Sequence, residues 1–193
     1  NDPEKGDKGF TADAFEKRLE LAFRNTHGKA MLRADTPPEA KLMLEAMMKT
    51  VDDAQATLNQ KGVGYKGFIP ASFTRLVFEK FAKKVPGSHA KFTSYPDVHN
   101  PVNKPDAWEE RILKEFLKPD YPKGKSFSEV VELNGKKSLR FIRPEYFNAS
   151  CLKCHGGPTG EKGPGGIDKC GKTVDQGGAG FSLAFTIKKA AKS

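Results

Sequence analysis

The stretch Cys151-Leu152-Lys153-Cys154-His155 constrains this chain more than any other part of its sequence. Two thiols three positions apart are followed at once by an imidazole, and the chain then runs straight into Gly156-Gly157-Pro158. From Gly156 to Gly180 it is dense in Gly, Lys and Asp and poor in apolar side chains, a composition that cannot bury itself unaided. Something other than a core of its own must organise that segment.

Three chemistries compete for the cluster. Zinc could take Cys151, Cys154, His155 and Cys170, but adjacent Cys154 and His155 strain a tetrahedron. A dithiol oxidoreductase opens a helix beside a strand with its cysteine pair, whereas this pair leads into glycines and a proline. The spacing fits the two vinyl groups of one haem, with the imidazole reaching the iron. The expectation is therefore a single covalent haem c anchored by Cys151 and Cys154 and ligated by His155, which would also organise the glycine-rich segment. A neutral imidazole ligand needs an acceptor for its second nitrogen. Haem c attachment in bacteria takes place outside the cytoplasm, so an exported, periplasmic protein is expected. The polar start Asn1-Asp2-Pro3 and the absence of any run near the roughly 18 apolar residues of a membrane span fit a mature, soluble form.

Periodicity divides the chain into leading helices and following strands. A first helix is expected from Thr11, with Phe15, Leu19, Ala22 and Phe23 on one face and a stop at His27-Gly28. Thr36-Pro37-Pro38-Glu39 reads as a capped start, with Ala40, Met43, Leu44, Met47, Val51, Ala54 and Leu58 lining one face as far as Gly62. A third helix carries Phe73, Val77 and Phe81 between Pro70 and Pro86-Gly87, and a fourth carries Trp108, Ile112 and Phe116 between Pro105-Asp106 and Pro119. Asn134-Gly135 joins residues 127–133 and 136–143 as a hairpin. Phe181, Leu183, Phe185 and Ile187 on one face alternate with Ser182, Ala184 and Thr186 on the other, as in a half-buried strand. The class is α+β, divided into an N-terminal helical segment at 1–64 and a domain at 65–193.

With 14 Phe there is apolar material enough to surround a flat cofactor. The net charge of +9 suits an acidic redox partner. Its lysines are scattered, without the aromatic interleaving of a nucleic-acid surface, so no nucleic-acid partner is expected.

Three motifs in order, Phe68-Ile69-Pro70-Ala71, then Asn100-Pro101-Val102-Asn103-Lys104-Pro105-Asp106-Ala107-Trp108-Glu109, then Cys151 to Gly157, give the chain a specific likeness. It resembles the haem-c-binding PAS-like domains, found as free periplasmic proteins and as outer domains of membrane sensors. Over residues 65 to 188 the resemblance implies a PAS-like antiparallel sheet with helices around the haem. Two positions depart from it: His99 stands where many relatives have Arg, and no Cys precedes Cys151, although some relatives coordinate haem through an upstream Cys.

For the iron's other side the candidates are His27, His89, His99, Cys170, Met31, Met43, Met47 and Met48, against an open position. His27 leads, because it ends a helix in the region from which the family can supply a ligand. Cys170 has Lys169 and Lys172 beside it, which would favour a thiolate. Arg140 and Arg143 could bridge haem propionates. The expected function is electron transfer or a redox-responsive role. The alternative is a gas or redox sensor binding nitric oxide or carbon monoxide at the distal face, which the short tail after Ile187 favours less. Enzymatic chemistry would need an acid–base group over an open iron and is not expected.

Overall fold

A computed structural model describes residues 4–98 and 100–187, so His99 lies outside the described residues. By backbone contacts the chain divides into two compact units, Asn1–Pro86 and Gly87–Ser193, where the sequence reading placed the step at 64/65. No helix among the described residues is long and apolar enough to cross a membrane.

The first unit is helical. Helix α1 (Ala12–His27) starts under the Thr11 side chain, which accepts the Ala14 N–H, and stops at Gly28 in the left-handed conformation, φ 66°. A residue with a Cβ is disfavoured at that φ, so glycine suits the exit. Helix α2 (Pro38–Asp53) differs from expectation at both ends. Its N-cap is Pro37, with no side-chain cap, because the Thr36 hydroxyl accepts the Arg33 N–H at 2.7 Å inside the preceding turn. It also ends at Asp53, and the rest of the anticipated helix is a separate short one, α3 (Gln55–Asn59). Leu44, Ala46, Thr50 and Val51 are its buried residues. Helix α4 (Pro70–Lys84) buries Val77 and Phe81 of the apolar stripe together with Phe78, whereas Phe73 is half-buried. Ion pairs from Lys80 to Asp53 and from Lys84 to Glu45 join α4 to α2 at 2.9 and 2.7 Å.

The second unit holds strand β1 (Ser88–Ser94), the short 3-10 turn η1 (Pro101–Asn103), helix α5 (Ala107–Phe116), strands β2 (Phe127–Leu133) and β3 (Lys136–Tyr146), the single turn α6 (Leu152–His155), and strand β4 (Gly177–Thr186). The strands form one antiparallel sheet in the order β1-β4-β3-β2, confirming an α+β chain. The hairpin turn carries positive φ at both Asn134 (53°) and Gly135 (71°), as its sequence requires. Strand β1 has no clear alternation and escapes a sequence reading; its place comes from pairing with β4.

Strand β4 alternates as expected, and the structure shows which of its faces lies deeper. Ser182 and Ala184, each 2% exposed, form the deeply buried face, whereas Phe181, Leu183 and Phe185 are partly buried and Ile187 is exposed. The reason is the closeness of α5. Leu113 of α5 and Ile142 of β3 are so near Gly180 that a Cβ there would sit 3.1 and 3.0 Å from them. Small side chains let the helix settle onto the sheet, and Ile112, Leu113, Phe116 and Ile142 form the core between them.

The long Asn-Pro-Trp-Glu motif is a fold-making device. The Asn100 side chain accepts the Val102 N–H to open η1, and the carbonyls of Asn103 and Lys104 accept from Thr93 and Lys91 of β1. Asp106 and Glu109 form a reciprocal capping box that starts α5. Glu109 is fully buried; its carboxylate lies 2.8 Å from Lys91 Nζ and 3.2 Å from Arg140 Nη2. Arg140 also meets Asp106 at 2.8 Å, and its guanidinium lies 4.2 Å from the Trp108 ring centroid. Arg140, expected from sequence as a candidate for a cofactor carboxylate, is 4% exposed and has both terminal nitrogens on protein carboxylates. Burial acts to raise the Asp106 carboxyl, but the Glu109 N–H and the Arg140 charge outweigh it and hold the group below its ordinary range.

Candidate cofactor site

The motif cysteines sit on a turn launched from the end of β3. Beyond Tyr146, Phe147 and the 175–176 segment exchange main-chain hydrogen bonds, Phe147 N–H to Gln176 O at 3.0 Å and Asp175 N–H to Phe147 O at 2.7 Å. Asn148 then accepts from the Ser150 N–H and hydroxyl through its side chain, and from the Cys151 N–H at its carbonyl. This Asx turn delivers Cys151 as the residue before α6. Within α6 the Cys154 and His155 N–H groups both donate to the Cys151 carbonyl, at 3.1 and 3.0 Å. Cys151, Cys154 and His155 are thus held by one helical turn. All three cysteines of the chain are half-buried and free of disulfides.

Gly156 ends the turn. It is buried, and a Cβ there would lie 2.6 Å from the Leu152 carbonyl oxygen, so only glycine lets the chain leave α6 this tightly. The segment that follows has its own main-chain frame: Gly160 N–H to Lys169 O, Lys169 N–H to Glu161 O and Gly163 N–H to Ile167 O. A segment whose composition cannot bury itself thus has main-chain hydrogen bonds of its own. The loop returns against α6, with the Lys172 N–H on the His155 carbonyl at 2.7 Å and the Gly171 N–H on the Gly156 carbonyl at 2.9 Å.

That return places Cys170 beside the motif histidine. Its Sγ lies 3.6 Å from His155 Nδ1 and 3.5 Å from the His155 carbonyl oxygen. On another side the Phe147 ring lies 5.2 Å from the imidazole. Neither of these two neighbours of His155 is visible in the linear motif: Phe147 follows the end of β3, and Cys170 lies fifteen residues downstream. Burial pushes the Cys170 thiol up. The charge of Lys172 acts the other way but does not outweigh burial, and Asp97, paired with Lys172 at 2.6 Å, adds to the rise; Lys169 pairs with Glu161 at 3.1 Å. The Cys170 sulfur faces the Nδ1 side of the His155 ring.

Among the described residues no three His, Cys, Asp or Glu side chains converge as a metal cluster requires, so the zinc alternative is not assembled. His27 belongs to the first unit, exposed at the last residue of α1, with its ring 4.4 Å from that of Phe23. His89 is exposed on the edge strand β1, and Met31, Met43, Met47 and Met48 are half-buried in the first unit. Arg143 is exposed, with only a distant approach to Glu145 at 3.8 Å.

The donor set fits a haem c: two unoxidised thiols and an imidazole on one turn, with the second imidazole nitrogen already partnered. No curated protein and no solved structure matches the chain. A family match covers residues 29–182, and the chain belongs to the Tll0287-like family, a family of cytochrome c-like domains.

Proposed function

We propose that this chain is a periplasmic c-type cytochrome with one haem and a PAS-like sheet, acting in electron transfer or in a redox response. The observation that carries the reading is the placing of Cys154 and His155 on the single turn α6 with Cys151 as its N-cap, and all three thiols of the chain free of disulfides. Cys151 and Cys154 would hold the group by thioether bonds and His155 would ligate its iron through Nε2, since Nδ1 faces Cys170. The four-stranded antiparallel sheet with α5 on one face supports the PAS-like reading.

When bound, haem supplies a one-electron couple. The protein's part is to hold and orient. The Asn148 turn and Gly156 set the two ends of α6, Phe147 packs on the imidazole, and the 171–172 backbone clamps 155–156. The excess of basic side chains favours an acidic partner.

The test is the visible spectrum of protein made in a host that attaches haem c, oxidised and dithionite-reduced, with and without carbon monoxide, followed by a pyridine haemochrome assay. The expected result is one haem per chain with the double-thioether haemochrome, lost in Cys151→Ser/Cys154→Ser. Sharp low-spin bands untouched by carbon monoxide support electron transfer, and His27→Ala then tests the histidine expected from sequence. A high-spin spectrum that shifts with carbon monoxide turns the reading to a gas sensor. Absence of a haemochrome overturns the proposal.

A further inference from the structure

We infer that Cys170 is a positioning residue for the haem ligand: its sulfur accepts the Nδ1–H of His155 while its own S–H donates to the His155 carbonyl. The inference rests on the haem reading above and extends it to a residue outside the attachment motif.

The geometry closes on both atoms. Sγ lies 3.6 Å from Nδ1 and 3.5 Å from the carbonyl oxygen of the same residue, within reach of sulfur hydrogen bonds. A histidine bound to metal through Nε2 carries its proton on Nδ1 and needs an acceptor there. A thiol can donate one proton and accept at sulfur, so one side chain satisfies the ring and the carbonyl together. The position is imposed by the backbone on both sides of the sulfur. Lys169 N–H bonds to Glu161 O before it, and the Gly171 and Lys172 N–H groups bond to the carbonyls of Gly156 and His155 after it. Gly171 is left-handed at φ 71°, and a Cβ there would sit 2.5 Å from the Thr159 hydroxyl, so glycine lets the loop turn back this closely.

The consequence concerns the redox potential. An acceptor on Nδ1–H makes the imidazole a stronger donor and favours ferric iron, and a sulfur acceptor does so weakly. Removing it should favour ferrous iron, whereas an anionic acceptor should oppose it.

The experiment compares full-length holoprotein as wild type, Cys170→Ala, Cys170→Ser and Cys170→Asp. Haem content comes from the pyridine haemochrome, and the potential from spectroelectrochemical titration at one pH. The expected result is a rise in Cys170→Ala of about threefold in the reduced-to-oxidised ratio, about 28 mV at 59 mV per tenfold for one electron. Cys170→Ser, whose oxygen accepts better but, on a shorter bond than sulfur's, stands farther from Nδ1, should lie between alanine and wild type, and Cys170→Asp below wild type. Proton NMR should show the His155 Nδ1–H exchanging faster with solvent in Cys170→Ala than in wild type. Should the alanine variant fail to load haem, the serine and aspartate variants read the same order. Haem present in all variants with equal potentials and equal Nδ1–H exchange overturns the role of Cys170 alone. Wild-type protein without haem overturns the haem reading and this inference with it.

Discussion

Glu109→Gln removes one negative charge from the interior of the second unit and leaves nearly everything else in place. The side chain keeps its volume, and its amide oxygen can still accept the Asp106 N–H that the carboxylate takes at 2.8 Å. What disappears is the charge facing Lys91 at 2.8 Å and Arg140 at 3.2 Å, where Glu109 is wholly buried and the two bases are only 16% and 5% exposed. Breaking a buried pair costs about 3–5 kcal/mol, because the stranded charge has lost water without gaining a partner. Asp106 still meets Arg140 at 2.8 Å, so the lower end, about 3 kcal/mol, is the figure to expect. With a urea slope of about 2 kcal/mol per M, the midpoint should fall by about 1.5 M.

Trp108 makes the measurement selective. It is the chain's single tryptophan and lies on α5 beside Arg140, so its fluorescence reports on the second unit. The control is the next residue on the helix: Glu110 pairs with Lys114 at 2.6 Å with both side chains well exposed, and Glu110→Gln should cost under about 1 kcal/mol. In a cycle with Arg140→Gln, the double variant should lose less than the sum of the singles by about 0.5–3 kcal/mol. Equal midpoints for Glu109→Gln and Glu110→Gln would refute the claim that this network holds α5 to the sheet.

Three further outcomes follow from particular contacts. Asp106 is held below the ordinary carboxylate range, so the stability it lends is complete above the unfolded value of about 4 and is lost as pH falls toward the folded one; the Trp108 urea midpoint should drop more steeply below pH 5 in wild type than in Asp106→Asn, which keeps a capping oxygen, and parallel curves would rule this out. Gly180→Ala puts a methyl 3.0 and 3.1 Å from Ile142 and Leu113, an overpacking of about 1–3 kcal/mol in the same assay, and an unchanged midpoint would show that α5 yields freely. Gly156→Ala drives a Cβ to 2.6 Å from the Leu152 carbonyl, so the haemochrome yield per chain should fall in the proposed holoprotein, and undiminished loading would show that the tight exit from α6 is dispensable.

Local signals were legible wherever a residue acts on its own neighbours. Thr11 and Gly28 bound α1, Asp106 and Glu109 cap α5, and Asn134-Gly135 makes the hairpin turn. Thr36 shows how such a signal fails, because a hydroxyl that could cap the helix after it found the Arg33 N–H before it. The two faces of β4 could be separated by alternation alone, but which face α5 approaches depends on how near a helix can come to Gly180, Ser182 and Ala184. Arg140 could be recognised as a bidentate donor; that its partners are Asp106 and Glu109 follows from the pairing of β3 with β4 and the seating of α5 on them.

The same division between near and far runs through the site. The chemistry of Cys151, Cys154 and His155 is written in five consecutive residues, whereas the contacts that orient His155 come from Phe147 and from a loop whose composition reads as unable to pack. That composition has a structural use. Gly156 lets the backbone leave α6 against the Leu152 carbonyl, and Gly171 lets it return with both hydrogen bonds of the clamp intact. Side chains at either place would force the strands of the clamp apart and carry Cys170 away from Nδ1. A glycine-rich stretch beside a ligand motif is therefore read better as room for the main chain to approach than as slack between elements.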